Sequence, residues 1–119
     1  MLKLFALLAL AGALAVAGSS AFAAGPQTIT GTDGPGFTIT LKQHTRNVLS
    51  LPPATYLFVI SDKSNIHNFH LIGPGVNKKT SVAAVGKTTW RLTLRRGTYR
   101  FICDPHATVM KGKFVVKAP

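Results

Sequence analysis

The sequence has 119 residues, of which 14 are Lys or Arg and only three are Asp or Glu, so its formal net charge is +11. A chain of this length allows one small domain with a single core and excludes a second domain. Its single cysteine excludes an internal disulfide. The positive charge predicts acidic partners, and basic residues spread without a lysine-rich tail or an aromatic RNA-binding motif argue against nucleic acid.

Residues 1–23 have the pattern of an export signal. Lys3 gives a positive start, residues 4–17 form an almost unbroken apolar run, and Ala-Phe-Ala at 21–23 fits a cleavage site. The run is shorter than the roughly 20 apolar residues that span a bilayer, and no basic stop-transfer cluster follows it. We therefore expect export to the periplasm or outside the cell, one domain over residues 24–119, and no integral membrane segment after cleavage.

Strand patterns dominate the rest of the chain, as short alternating or continuous apolar segments bounded by Gly and Pro turns. In chain order the predicted strands are residues 37–41, 56–60, 67–72, 80–85, 90–95, 98–103 and 114–116. About seven short strands without a convincing helix predict an all-β fold, a Greek-key antiparallel β-sandwich.

The strand alternation also predicts side-chain directions, because successive residues of a strand point to opposite faces. Cys103 shares the apolar face of Tyr99 and Phe101 and therefore points into the core. In the strand predicted at 67–72, His67 faces inward with the residues two and four positions later. The residues between them, His70 included, face outward.

The loop after Cys103 carries three candidate metal ligands. Cys103, His106 and Met110 supply a thiolate, an imidazole and a thioether within eight residues. Copper sites for electron transfer use two imidazoles and a thiolate in a near-trigonal plane, with a weak axial Met. Such a mixed set suits both oxidation states, so the ion changes between them with little ligand movement. The pattern predicts one copper ion per chain.

The second imidazole must come from outside this loop. Three histidines remain, and strand parity favours His67, because His70 faces outward and His44 lies in a polar stretch typical of the surface. Zinc suits the set less well, since structural zinc takes four strong ligands and a thioether is a poor one. If no metal is bound, Cys103 is a small buried apolar residue.

Two segments resemble the C-terminal half of a cupredoxin, with plastocyanin, pseudoazurin and amicyanin as the nearest kinds. They are GTYRFICDPH at 97–106 and MKGKFVV at 110–116. Those proteins share G-x-Y-x-F-x-C-x-P-H, a Met, a Gly and a closing strand, and His67-Asn68 resembles their upstream His-Asn pair. The similarity begins at about residue 56. It implies in-plane ligands at His67, Cys103 and His106, an axial Met110, and an Asn68 that stabilises the loop or the Cys103 sulfur.

The spacing in this loop is C-x2-H-x3-M, which differs from the usual cupredoxin loops. Plastocyanin-like loops usually have one residue more before the Met, and amicyanin-like loops have one fewer. Loop length sets how Met110 approaches the metal, so the resemblance implies the ligand set but not the axial distance, the colour or the potential.

The resemblance implies a monomeric blue (type 1) copper protein that carries single electrons between protein redox partners and is not an enzyme. His106 would be the electron port, rimmed by Ala107, Val109 and the turn at 73–75. Acidic partners would be steered by basic residues near the copper end: Lys78, Lys79, Lys111 and Lys113. Two alternatives stay open: copper sequestration or delivery, and a non-metal β-sandwich interaction module in which Cys103 has no functional role.

Overall fold

The computed structural model describes residues 11–14 and 24–119, and residues 24–119 form two five-stranded sheets. The strands are β1 (Gln27–Asp33), β2 (Ile39–Gln43), β3 (Arg46–Asn47), β4 (Ser50–Leu51), β5 (Ala54–Asp62), β6 (His70–Gly73), β7 (Val76–Lys79), β8 (Gly86–Leu94), β9 (Gly97–Ile102) and β10 (Lys111–Val116). The first sheet has the order β3-β2-β1-β5-β8 and the second has the order β4-β10-β9-β6-β7.

The predicted all-β sandwich is confirmed, with two refinements. Most neighbouring strands are antiparallel, but β1 pairs with β5 in parallel, and so does β4 with β10. One single-turn 3₁₀ helix, Asp104–His106, interrupts the strand pattern within the described residues. Both parallel pairs join strands that a longer stretch of chain separates, as parallel pairing requires.

The strand predicted at 80–85 is wrong. The strands that pair with β6 are β9 and β7, and β7 ends at Lys79, before the predicted segment. Residues 81–85 are exposed and lie outside any strand. The sequence pattern also missed β1, whose apolar content is limited to Ile29 within a run of polar residues and Gly31. This strand is recognisable only by its place between β2 and β5.

The core between the sheets comes from alternate residues of the long strands. In β5 the buried apolar positions are Tyr56, Phe58 and Ile60, which alternate with half-buried ones. Burying an aromatic or aliphatic side chain of this size contributes about 1.5–3 kcal/mol. The predicted inward face of β9 is confirmed, because Tyr99 and Phe101 are buried and Cys103 continues their face.

Two stacked aromatic pairs fix β9 against its neighbours. Phe101 stacks on Phe69 with ring centroids 5.8 Å apart, and Tyr99 stacks on Phe114 at 5.2 Å. Gly112 of β10 lies opposite Phe101, where a Cβ would overlap the Phe101 ring. The strand that ends at Cys103 therefore has little freedom to shift.

In the part of the chain that the structure describes, no helix is long and apolar enough to cross a bilayer. The predicted export signal at 1–23 lies outside the described residues, except for 11–14.

Candidate metal centre

The loop of residues 103–110 joins β9 to β10 and is closed by its own backbone. The Cys103 N–H donates to the Met110 carbonyl at 3.0 Å, which continues the β9–β10 ladder by one step. Inside the loop, the His106 N–H donates to the Cys103 carbonyl at 3.0 Å and the Met110 N–H donates to the His106 carbonyl at 2.8 Å. Pro105 occupies the start of the 3₁₀ turn, where its missing N–H leaves no bond unmade. These bonds hold all three loop candidates at one end of the sandwich.

His67 reaches the same place from the segment between β5 and β6. Its side chain is fully buried, and Gly34 packs against its ring: a Cβ at Gly34 would lie 3.2 Å from His67 Cδ2. The prediction that His67 faces inward is confirmed. The prediction that it belongs to a strand is wrong, because β6 begins only at His70.

Just before β6, the backbone N–H groups of Asn68 and Phe69 are bonded to side chains instead of to a neighbouring strand. The Asn68 N–H donates to Cys103 Sγ at 3.5 Å, and the Phe69 N–H donates to Thr80 Oγ1 at 2.9 Å. Strand parity therefore does not apply there, and Asn68, predicted to face outward, is buried.

Three side-chain atoms converge at this end of the molecule. His67 Nδ1 lies 3.1 Å from His106 Nδ1, and Cys103 Sγ lies 3.7 Å from the first and 3.6 Å from the second. The point equidistant from these atoms is about 2 Å from each, close to the roughly 2.0–2.3 Å of metal bonds to imidazole nitrogen and thiolate sulfur. The three atoms could therefore bind one metal ion between them in a trigonal arrangement.

Met110 is also fully buried. Its backbone carbonyl and N–H bond to Cys103 and His106 respectively, so its place in the chain is fixed relative to both. The remaining nitrogen of His67, Nε2, is buried and has no hydrogen-bond partner among the described residues.

A polar network supports the loop from the side of β6 and β7. Asn68 accepts from the Asp104 N–H at 2.7 Å through Oδ1 and donates to Asp104 Oδ2 at 2.7 Å through Nδ2. The other oxygen of Asp104 lies 2.8 Å from His70 Nδ1, and His70 Nε2 lies 2.6 Å from Asn77 Oδ1. The predicted role of Asn68 as a loop partner agrees with these contacts, which also fix the residue next to Cys103.

Asp104 is kept ionised by this network. Burial acts to raise its pKa, but the hydrogen bonds from His70 and Asn68 and the charges of His70 and Lys79 outweigh it, so the pKa lies below its usual value. His70 is thereby engaged outside the three-atom cluster. His44 is exposed in the turn between β2 and β3, with a positive φ of 54°, as the sequence predicted for a surface residue.

Phe37 was not predicted to belong to the site. Its ring contacts both imidazoles edge to face, with centroids 5.3 Å from His67 and 4.9 Å from His106, and 59% of it is exposed. The alternating pattern placed it in a strand, whereas it precedes β2. Only the tertiary fold brings it over the histidines.

The predicted apolar rim is correct in part. Val109 is 65% exposed and Ala107 is half-buried beside His106. The prediction that the turn at 73–75 forms part of the rim is wrong. Pro74 packs against Gly97, at the opposite end of β9 from Cys103. It cannot border the metal centre.

Comparison with known proteins gave concordant results. Residues 37–117 match the family model described as copper-binding proteins of the plastocyanin/azurin family. Among solved structures, reduced rusticyanin matches with 23% identity and a TM-score of 0.59, covering 81% of this chain and 82% of that one. Rusticyanin from Thiobacillus ferrooxidans matches with 23% identity and a TM-score of 0.58, covering 81% and 80%.

A further structure, described as the copper protein rusticyanin, matches with 22% identity, a TM-score of 0.60 and coverage of 81% and 80%. At these identities the structural matches bear on the fold. No curated protein sequence matches the chain.

Proposed function

Because the chain belongs to the plastocyanin/azurin family of copper-binding proteins, the cupredoxins, we propose that it is an exported blue copper protein. In this proposal it is a monomer that carries single electrons between protein partners, and it is not an enzyme. The in-plane ligands are His67, Cys103 and His106, and Met110 is the axial ligand. The observation that carries the proposal is the convergence of two Nδ1 atoms and one Sγ, 3.1–3.7 Å apart, at the end of the sandwich.

The donor set itself favours copper. Two imidazole nitrogens and a thiolate, with a buried thioether in the same loop, form the set that electron-transfer copper sites use. When bound, copper supplies the one-electron couple between the cupric and cuprous states. The protein's part is to hold the four side chains where both states accept them.

This chain holds its ligands rigidly. The Asn68 N–H points at Cys103 Sγ, and the Asn68 side chain bonds both to the Asp104 backbone and to its carboxylate. Loop hydrogen bonds to Cys103, His106 and Met110 limit their movement in the same way. Ligands that scarcely move when the charge on the metal changes keep the reorganisation cost of electron transfer low.

His106 is the ligand through which electrons would enter and leave. It is half-buried, whereas His67, Cys103 and Met110 are fully buried. The exposed apolar side chains of Phe37, in contact with His106, and Val109, in the same loop, offer a small docking area. Redox partners generally meet over areas at the low end of interface sizes, so a brief encounter there fits electron carriage.

The charge distribution supports acidic partners. Asp33 and Asp62 are buried, and Asp104 is paired with His70 in the only ion pair within the described residues. The exposed basic side chains therefore make no ion pair with a carboxylate among the described residues. Two of those at the copper end are Lys79, paired with His70 between β6 and β7, and Lys111, which follows Met110. Such a surface would speed association with acidic proteins and lose this effect in salt.

The test is to add cupric ion to the purified mature protein and record the visible spectrum. An intense thiolate-to-copper band supports the proposal, and a colourless protein with a freely reactive thiol contradicts it. Stopped-flow exchange with a small redox reagent then separates electron carriage from copper storage, because a storage protein would exchange electrons slowly. Mass spectrometry of the protein recovered from the periplasm or medium tests export and cleavage near residue 23.

A further inference from the structure

Two buried carboxyl groups lie side by side at the ends of β1 and β5. Asp33 and Asp62 are opposite each other in the parallel register, each as the last residue of its strand. Asp33 is 0% exposed and Asp62 is 4% exposed. The chain has only three acidic residues, so placing two of them together in the interior calls for an explanation.

The two carboxyl groups have unequal hydrogen bonding. Asp62 accepts from the Ser64 N–H at 3.2 Å and from the Thr80 hydroxyl at 3.4 Å. Neither carboxyl oxygen of Asp33 has a partner within hydrogen-bond distance among the described residues. Lys63 binds the Asp33 carbonyl through its backbone N–H, but its side chain is exposed. A buried carboxylate without a cation or donor is costly, whereas a protonated one beside another carboxylate is not.

Burial beside a second carboxyl favours the protonated form of Asp33. Burial, and then the neighbouring Asp62 carboxyl, raises the pKa of Asp33 to about 7. Asp33 therefore keeps its proton well above the pH at which an exposed carboxyl loses it.

The pair contacts the surroundings of His67 in two ways, through Gly34 and through Thr80. Gly34, the residue after Asp33, packs on the His67 ring. Thr80, which donates to Asp62, accepts the Phe69 N–H at 2.9 Å, and its carbonyl accepts from the Asn68 side chain at 3.3 Å. Asn68 in turn donates its backbone N–H to Cys103 Sγ. Neither carboxyl hydrogen-bonds a proposed copper ligand. The carboxyls are connected to the ligands through intervening residues, namely Gly34, Thr80 and Asn68.

We propose that the Asp33–Asp62 pair is a proton-binding site coupled to the copper centre, so that the protein takes up a proton together with its electron. The inference rests on the proposed function. On reduction the electron comes from the reduced partner, the cupric ion becomes cuprous, and the local charge falls by one. A proton from solvent then binds the carboxylate pair, changing its charge from −2 to −1, and oxidation releases that proton again.

Electrostatics determines the direction in which the reduction potential changes with pH. A negative pair near the metal stabilises the more positive cupric state, so deprotonation of the pair lowers the reduction potential. The potential of the copper-loaded protein should therefore fall as pH rises through neutrality. By linkage, the pair binds its proton more tightly in the reduced protein than in the oxidised one.

The pair is tested first without copper. Carboxyl carbons of Asp33 and Asp62 are followed by NMR in the copper-free protein as pH is raised. Loss of the Asp33 proton near neutrality is expected, and two carboxyls fully ionised from pH 5 upward would overturn the inference. This measurement does not depend on the copper centre, so it separates a failure of the pair from a failure of the proposed function.

The coupling is tested in the copper-loaded protein by redox-induced infrared difference spectra and by proton uptake in weakly buffered solution. Reduction at neutral pH should produce a protonated-carboxyl band and take up a fraction of a proton per electron. Both should disappear in Asp33→Asn, and Asp62→Asn gives a second variant if the first folds poorly.

The control is Lys63→Gln, which changes one exposed charge beside Asp62 and should retain both signals. All variants keep His44, His70, Asp104 and His106, so proton uptake that persists unchanged in Asp33→Asn comes from those groups and contradicts the proposal.

Discussion

The four proposed ligands come from two parts of the chain that differ in how they are built. The loop of residues 103–110 is closed by its own backbone hydrogen bonds between two adjacent strands. The segment before β6 places His67 through contacts made elsewhere, with Thr80, Gly34 and Cys103 itself. The loop is thus a local structure, and the His67 segment depends on the assembled sandwich. Perturbations should affect the two parts differently.

The largest effect is expected in the loop. Cys103→Ser should abolish the visible charge-transfer band completely, because the thiolate is the group that gives it. The measurement is the absorption spectrum after addition of cupric ion. Val109→Ala, a change at an exposed position of the same loop, is the matched control and should keep the colour. A band of normal intensity in Cys103→Ser would rule out this thiolate as a ligand.

The next largest effect separates the two histidines near β6. His67→Ala removes a proposed ligand and should eliminate blue-copper absorption, whereas His70→Ala should leave most of it. His70 bonds Asp104 and Asn77 and lies outside the three-atom cluster. Spectra of the two variants titrated with cupric ion make the comparison. Equal loss in both would mean that the segment before β6 rearranges on binding.

A smaller effect is expected at the contact that joins the two parts. Asn68→Ala removes both bonds to Asp104, and loss of such an outer partner typically lowers metal affinity by about 10–100-fold. Competition with a copper chelator measures this affinity. Asn77→Ala, which removes a hydrogen bond on the far side of His70 from Asp104, should have a weaker effect. The reverse ranking would show that the His70 side controls the loop.

The smallest effect concerns stability and pH. The pKa of Asp33 is about 7 in the folded protein against an ordinary value of 3.8. Between these values the folded state holds more protons than the unfolded one, so the free energy of unfolding falls as pH rises through the window. Asp33→Asn should reduce this slope and stabilise the copper-free protein at pH 8 by roughly 1–3 kcal/mol. Urea unfolding at several pH values tests it, and an unchanged slope would contradict the raised pKa.

The difference between the loop of residues 103–110 and the segment that holds His67 also explains what the sequence could predict. The cluster of Cys103, His106 and Met110 is recognisable from the sequence, because the three residues lie within eight positions. The strands on either side of it have clear apolar patterns. Tyr99 and Phe101 alternate regularly, so the direction of Cys103 followed from local rules. The β-sandwich was predictable for the same reason, since most of its strands carry their own periodicity.

The rest depends on contacts between distant segments. Parity indicated His67, which does lie beside Cys103 and His106, but through a strand that does not form there. The N–H groups of Asn68 and Phe69 bond to a sulfur and a hydroxyl and not to a neighbouring strand. Phe37 reaches the histidines, and Asp33 meets Asp62, only after the sheets have formed. No local sequence pattern predicts these contacts between distant residues.

The burial of two of the three acidic residues has a consequence for encounters between copies of this protein. With Asp33 and Asp62 buried and Asp104 paired to His70, the charged side chains that another copy would meet are almost all cationic. Two copies should repel each other, so direct electron self-exchange should be slow at low ionic strength and faster as salt screens the repulsion. Exchange with an acidic partner should respond to salt in the opposite direction. The electron would therefore pass to a different protein in preference to a second copy of the same one.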